Sequence, residues 1–110
     1  MKYEIDIVND SNDKFEDNAD NVAVIKVIDH NGCDITNVCE INMFLSKNAM
    51  LGLGTELIRL AHNFKEMKHV HLEPCTKDMQ VQRMGIFLSP DSSKLTIVCN
   101  DNDVIDNYFK

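Results

Sequence analysis

A helical pattern in the middle of the chain constrains the fold more than any other feature of the sequence. Apolar residues recur there at steps of three and four, which places them on one face of an α-helix. They are Met50, Leu53, Leu57, Leu60, Phe64 and Met67, with Ile58 and Ala61 beside them. Ser46 precedes the pattern and is a good helix N-cap. The spacing therefore predicts a helix from about residue 47 to 66.

Two glycines interrupt the start of this pattern. Gly52 and Gly54 would each cost roughly 1 kcal/mol inside a helix relative to alanine. Either the helix begins only near Thr55, or the glycines allow it to pack closely against a sheet.

Strand patterns precede the helix. Residues 2–8 alternate between apolar and polar side chains, which predicts a half-buried strand. Residues 22–28 are rich in β-branched types, which predicts a more buried strand. Asn31-Gly32 favours a tight hairpin turn, with a returning strand over about 34–45. The buried face of that strand is predicted to carry Cys39, Ile41, Met43 and Leu45. The first fifty residues thus predict a three-stranded meander.

Three more strands are predicted after the helix. Residues 69–73 alternate, with Val70 and Leu72 facing inward, and residues 84–88 and 94–99 form a second hairpin around a Pro90 turn. The tail residues Val104, Ile105, Tyr108 and Phe109 suit one helical turn. The prediction is one α+β domain over residues 1–110. It has an antiparallel sheet of about six strands in the order βββ-α-βββ, one main helix packed on one face and a short C-terminal helical turn.

Composition limits the class of protein and the cellular compartment that the chain suits. The chain has 110 residues, 44% of them apolar, which suits a single core. No apolar run approaches the roughly 18 residues of a membrane helix, and no secretory signal pattern opens the chain. The cysteines are Cys33, Cys39, Cys75 and Cys99. Without a secretory signal they are expected to be reduced thiols in the cytoplasm, and without a CxxC pair they do not suggest a structural zinc site. Cys39 and Cys99 are expected to be buried.

The distribution of charge carries the functional hypothesis. The net charge is −7, and segment 9–21 holds five acidic residues against one lysine, whereas residues 22–99 hold eight acidic and eight basic residues. The C-terminal stretch 100–110 adds three aspartates and one lysine. This distribution argues against nucleic acid and anionic membranes as partners. It favours a basic protein partner or simply solubility, because a negative field speeds encounter with a positive protein.

The predicted partner-binding residues are mostly these clustered acids. Phe15 lies among them and is a possible hot-spot anchor, although it could equally pack into the protein's own core. The full set is Asp10, Asp13, Phe15, Glu16, Asp17, Asp20, Asp101, Asp103 and Asp106. No catalytic residue, resident metal or cofactor is predicted.

Two other readings of local motifs remain open. On a strand His69, His71, Glu73 and Cys75 would share one face, and each residue type ligates transition metals. A metal site here would need a further ligand, such as His62 or His30. A strand whose polar side chains simply face solvent explains the pattern equally well. A Cys75 nucleophile activated by His69 or His71 would lack an oxyanion site.

The glycines suggest an enzymatic alternative. Gly52-Leu53-Gly54-Thr55 resembles the pyrophosphate-binding turn of the N-acetyltransferase superfamily, although Ala49 stands where that pattern has glutamine or arginine. The resemblance implies binding of acetyl-coenzyme A by backbone N–H groups ahead of a helix.

A second resemblance covers residues 69–109. The segments that carry it are His71–Pro74, Met84–Ser92, Leu95–Cys99 and the acidic tail. They are similar to the C-terminal half of small bacterial immunity proteins, which pair with toxins of contact-dependent growth inhibition and related polymorphic toxin systems. The resemblance implies a non-catalytic cytosolic inhibitor that binds one toxin domain, often a nuclease, and blocks its active site.

Overall fold

The structure, a computed structural model, describes residues 2, 4, 5, 7 and 21–101. Its described residues fall into two compact units, one ending at Thr36 and the other formed by Asn37–Asp101. The acidic segment 9–21, apart from Asn21, and the predicted C-terminal helical turn lie outside the described residues. The strand predicted over 2–8 is wrong at its described residues 2, 4, 5 and 7, which form no strand, and Ile5 and Ile7 of its apolar face are 60% and 86% exposed.

The first unit contains the predicted Asn31-Gly32 turn. The carboxylate of Asp29 accepts the backbone N–H groups of Asn31 and Cys33, both at 2.9 Å, which is how aspartate stabilises local turns. Gly32 has a positive φ of 84°, a conformation that glycine adopts without strain. The position of the turn is therefore confirmed.

The long returning strand predicted over 34–45 is wrong. Pairing across the turn consists of the bridge between Ile28 and Asp34, with hydrogen bonds from the Asp29 N–H to the Cys33 carbonyl at 2.9 Å and from the Ile35 N–H to the Val27 carbonyl at 2.8 Å. Beyond it the Val27 N–H donates to the Thr36 hydroxyl at 3.0 Å, and no further ladder forms among the described residues. Asp34 then accepts the N–H of Thr36 at 2.9 Å and its hydroxyl at 2.6 Å. These bonds begin a 3₁₀ helix over Thr36–Val38, which turns the chain away from strand geometry.

The same hydrogen bonds lower the pKa of Asp34. The side-chain and backbone groups of Thr36 lower the pKa of the Asp34 carboxyl below its ordinary value, and Lys26, 3.7 Å away, acts in the same direction. The side chain is 52% exposed to solvent. Its role is therefore local capping rather than core stabilisation.

Helix α1 runs over Lys47–His62 in the second unit. Ser46 is its N-cap, with Oγ accepting the Ala49 N–H at 3.1 Å, as predicted. Asn63 closes the helix, since its amide Nδ2 donates to the carbonyl of Arg59 at 3.1 Å. The helix thus begins where expected and ends about one turn early, which leaves Phe64 and Met67 outside it.

Strands β1 (His69–Leu72) and β2 (Leu95–Val98) form an antiparallel pair. His69 lies opposite Val98, and Leu72 lies opposite Leu95. Along β1 the histidines are exposed, Val70 is half-buried and Leu72 is buried. The alternation predicted for this strand is therefore confirmed.

The second predicted hairpin is wrong, because β2 pairs with β1 and not with residues 84–88. Arg83 and Ile86 exchange backbone hydrogen bonds of 2.8 and 3.1 Å across Met84 and Gly85. Both intervening residues have positive φ, 52° and 76°, as in a type I′ turn. A chain that reverses at Met84-Gly85 cannot continue as one strand through those residues.

A small core holds the second unit together. Leu53 of α1, Leu72 of β1 and Ile86 are buried against one another. Around them pack the half-buried side chains of Ala49, Val70, Met84, Leu88, Leu95 and Ile97. Cys99 is buried as predicted, but Cys39 is exposed. The burial predicted for Cys39 is wrong because residues 39–45 form no strand in the structure.

Gly52 lies in α1, against the Met84-Gly85 turn. A Cβ on Gly52 would overlap the carbonyl oxygen of Gly85, whereas a Cβ on Gly54 would meet open space. The helix therefore includes both glycines, and one of them permits close packing. The packing partner is a backbone turn rather than the sheet that the sequence suggested.

The predicted architecture is therefore corrected. Within the described residues there is one α-helix and a two-stranded antiparallel sheet, not a six-stranded sheet with a helix on one face. The apolar segments expected to be strands are held instead by turns and isolated bridges. In this same part of the chain, no helix is long and apolar enough to span a bilayer.

Candidate functional site

Of the nine predicted partner-binding residues, one is described by the structure and eight are not. Asp10, Asp13, Phe15, Glu16, Asp17, Asp20, Asp103 and Asp106 lie outside the described residues. Asp101 is described and exposed, and its backbone N–H donates to the carboxylate of Glu66 at 3.4 Å. Glu66 is also exposed. The structure thus places a second acid beside the start of the acidic tail, which the sequence separation of 35 residues concealed.

The second unit is itself neutral. Residues Asn37–Asp101 contain seven acidic and seven basic residues. Several are paired locally, including Glu56 with Arg59 and Glu73 with Lys94, the latter at 3.3 Å. The excess negative charge of the chain therefore belongs to residues outside this unit.

A cavity of about 440 Å³ opens beside the core. We call it the Cys75 cavity. Its walls are mainly apolar, and Arg83 and Glu73 are among its polar lining residues. The apolar walls are formed by Leu72, Pro74, Met79, Val81, Ile86 and Leu88. Such a concavity can accept an apolar side chain or a small apolar ligand.

Cys75 is buried at this cavity. Its Sγ lies 3.4 Å from the Val81 nitrogen and 3.7 Å from the Val81 carbonyl oxygen. Among the described residues, no imidazole is hydrogen-bonded to this thiol, since the Nδ1 atom of His71 contacts Thr96 instead. The structure therefore does not assemble the cysteine–histidine pair that nucleophilic catalysis requires.

The histidine pair, His69 and His71, lies side by side on the exposed face of β1. The ring centroids are 4.8 Å apart in an edge-to-face arrangement. The Nδ1 atom of His69 is 3.2 Å from the Met67 carbonyl oxygen, and that of His71 is 2.9 Å from the Thr96 hydroxyl. The shared face predicted for these two residues is therefore confirmed.

Cys75 does not join that face. It is buried, whereas the two histidines and Glu73 are exposed, because β1 ends at Leu72 and the alternation does not continue to residue 75. In the described part of the chain, no three His, Cys, Asp or Glu residues are placed to share a metal ion. The four-residue ligand row considered from the sequence is therefore not formed.

The glycines of the acetyltransferase alternative lie inside α1. Gly52 and Gly54 follow the first turn of Lys47–His62, where backbone N–H groups donate within the helix. The phosphate-binding turn ahead of a helix, on which that alternative depended, is therefore not formed by these residues.

Many large apolar side chains of the second unit are exposed to solvent. Phe44 is 94% exposed and Val38 82%. On α1, Met50 and Leu51 are more than half exposed. Sequence periodicity predicted burial for Met50, but the described core is too small to cover it.

The chain was compared with protein-family models, curated proteins and solved structures. No family model, no curated protein and no solved structure matches it.

Proposed function

We propose that this protein is an immunity protein that binds a cognate, basic toxin domain of nuclease type and neutralises it by occluding its active site. In this proposal the protein acts in the cytoplasm and performs no reaction. The proposal develops the resemblance of residues 69–109 to immunity proteins of contact-dependent growth inhibition.

One observation carries the proposal: the excess negative charge lies outside the second unit, which is itself neutral. Segment 9–21 and the tail after Asp101 contain most of the excess acids, while Asn37–Asp101 is balanced. A concentrated negative surface attracts a positive one over long range and speeds docking.

A nuclease supplies the complementary surface. It must be basic where it holds phosphates. Carboxylates can occupy the same positions and accept paired hydrogen bonds from arginine. Asp101 and Glu66 are adjacent and exposed on the second unit, and in this proposal they add two carboxylates that the basic partner can contact.

The direct test is rescue of cells that express the toxin domain encoded beside this gene. The unaltered chain is expected to restore growth and to bind the purified toxin domain. A variant with Asp13→Asn, Asp17→Asn and Asp20→Asn is expected to bind at least about tenfold more weakly, because paired interfacial charges contribute on the order of 1.5 kcal/mol or more.

A matched control removes the same number of charges from the neutral unit. It carries Glu40→Gln, Asp78→Asn and Asp91→Asn, all at exposed positions. This control is expected to bind as the unaltered chain does. Equal losses in the two triple variants would contradict the proposed site. A gene neighbourhood without a secreted toxin, or turnover of a small molecule by the isolated protein, would contradict the proposed function.

A further inference from the structure

We propose that the histidine pair, His69 and His71, binds one divalent transition-metal ion of the borderline class, such as Cu²⁺, Ni²⁺ or Zn²⁺. Imidazole nitrogens suit these ions. The site uses none of the residues of the proposed toxin interface.

The first support is the approach of the two rings. Residues two apart on a strand are separated by about 6.6 Å along the chain, yet these ring centroids are only 4.8 Å apart. A metal ion is bound about 2.1 Å from each imidazole nitrogen, so both nitrogens must lie within about 4 Å of each other. A centroid separation of 4.8 Å is compatible with such an approach of the two ligating nitrogens.

The second support is that both rings are held by their Nδ1 atoms. The Met67 carbonyl can only accept, so Nδ1 of His69 carries the proton and Nε2 presents its lone pair. Nδ1 of His71 lies 2.9 Å from the Thr96 hydroxyl, which can accept the Nδ1 proton and leave the Nε2 lone pair for a metal ion. Metal-binding histidines in proteins use their second nitrogen in this way, because the partner orients the ring and makes the ligating nitrogen more basic.

The third support is accessibility. Both histidines are exposed, and within the described ranges neither Nε2 atom has a hydrogen-bond partner. Two imidazoles leave further coordination positions, which water fills. The nearby Glu73 is paired with Lys94, so the site as proposed uses nitrogen ligands alone.

The experiment uses the full chain without a histidine tag. Titration with CuCl₂, NiCl₂, ZnCl₂ and MgCl₂ is followed by calorimetry and by NMR signals of the four histidine rings. One ion is expected per chain, with Cu²⁺ bound more tightly than Ni²⁺ or Zn²⁺ and no binding of Mg²⁺, which prefers oxygen ligands. Paramagnetic Cu²⁺ is expected to broaden the signals of His69 and His71 first.

Three variants test the geometry. His69→Gln and His71→Gln are each expected to weaken Cu²⁺ binding at least tenfold. Thr96→Val keeps both ligands but removes the hydroxyl that orients His71, and is expected to weaken binding about tenfold, as loss of a supporting group does. His30→Ala, at an exposed turn residue, is expected to bind as the unaltered chain does.

Specific outcomes would overturn the inference. They are unchanged affinity in either glutamine variant, unchanged affinity in Thr96→Val, or first broadening at His30 or His62. Circular dichroism of each variant shows whether it is folded, and retained affinity in a folded glutamine variant counts against the site. Toxin binding by the same variants is expected to be unchanged, so failure of this site and failure of the proposed function are distinguishable.

Discussion

At the scale of single residues, two methionines adopt a backbone conformation that favours glycine. Met67 has φ of 69° and Met84 has φ of 52°. Met84 lies in the tight turn between Arg83 and Ile86 and packs against the core. Met67 is 63% exposed, so its side chain offers little packing to offset the strain. These conformations are imposed by the hydrogen bonds of their neighbours.

The conformation at Met67 belongs to a β-bulge. The Met67 N–H donates to the Cys99 carbonyl at 2.8 Å, and the Cys99 N–H donates to the Lys68 carbonyl at 2.7 Å. Met67 and Lys68 therefore lie opposite the single residue Cys99. In a common form of this bulge the first of the two residues is a glycine in the left-handed backbone conformation. The bulge lies directly before β1 and leads into the histidine pair.

Replacing Met67 with glycine is expected to stabilise the protein. The left-handed conformation costs a residue with a Cβ roughly 1–2 kcal/mol, and the greater freedom of glycine in the unfolded chain offsets roughly 0.4–1 kcal/mol of that. The expected gain is about 0.5–1 kcal/mol in the free energy of unfolding, measured by urea denaturation. Met67→Ala keeps the Cβ and is the control. An equal gain in both variants would show that relief of strain is not the cause.

At the scale of elements, the contact between α1 and the Met84-Gly85 turn decides how the second unit is assembled. The close approach of Gly52 and Gly85 brings two backbones together without side chains between them. Leu53, the next residue along α1, is thereby placed in the core with Leu72 and Ile86.

The two helical glycines are expected to respond oppositely to alanine. Gly52→Ala places a Cβ onto backbone atoms of Gly85 that cannot rotate away, so the helix must move off the turn, at an expected cost of about 2 kcal/mol or more. Gly54→Ala meets open space and should gain up to about 1 kcal/mol from helix propensity. Thermal unfolding of both variants is the measurement. An unchanged unfolding temperature in Gly52→Ala would contradict the close contact between Gly52 and Gly85.

Element prediction succeeded where the signals were local. The Ser46 cap, the start of α1, the turn at Gly32 and the alternation in β1 each depend on a few neighbouring residues. The pairing of β1 with β2 joins residues about 25 positions apart. The short apolar runs at 22–28 and 84–88 have a composition typical of strands, but only their surroundings determine whether they pair.

At the scale of the whole molecule, charge is the property that bears on the proposed function. A neutral unit of seven acidic and seven basic residues belongs to a chain of net charge −7. Long-range attraction changes the rate of encounter more than the lifetime of a complex.

Association with the toxin domain is therefore expected to slow as salt is raised. Between 50 and 500 mM NaCl the association rate should fall by about tenfold or more, while the dissociation rate changes little. Surface plasmon resonance measures both. The variant lacking Asp13, Asp17 and Asp20 should show a shallower salt dependence than the Glu40, Asp78 and Asp91 control. If the association rates of the two triple variants depended equally on salt, the charges that steer association would not be those of Asp13, Asp17 and Asp20.

The sequence by itself determined the charge distribution, the helix with its cap, the Gly32 turn and the shared face of His69 and His71. These follow from residue type and from spacings of a few residues. Only the tertiary structure decided that β2 pairs with β1, that Gly52 contacts Gly85, that Cys75 turns inward and that Thr96 holds His71. Each of those contacts joins distant parts of the chain or follows from where a strand ends, and their energies depend on packing that local periodicity does not encode.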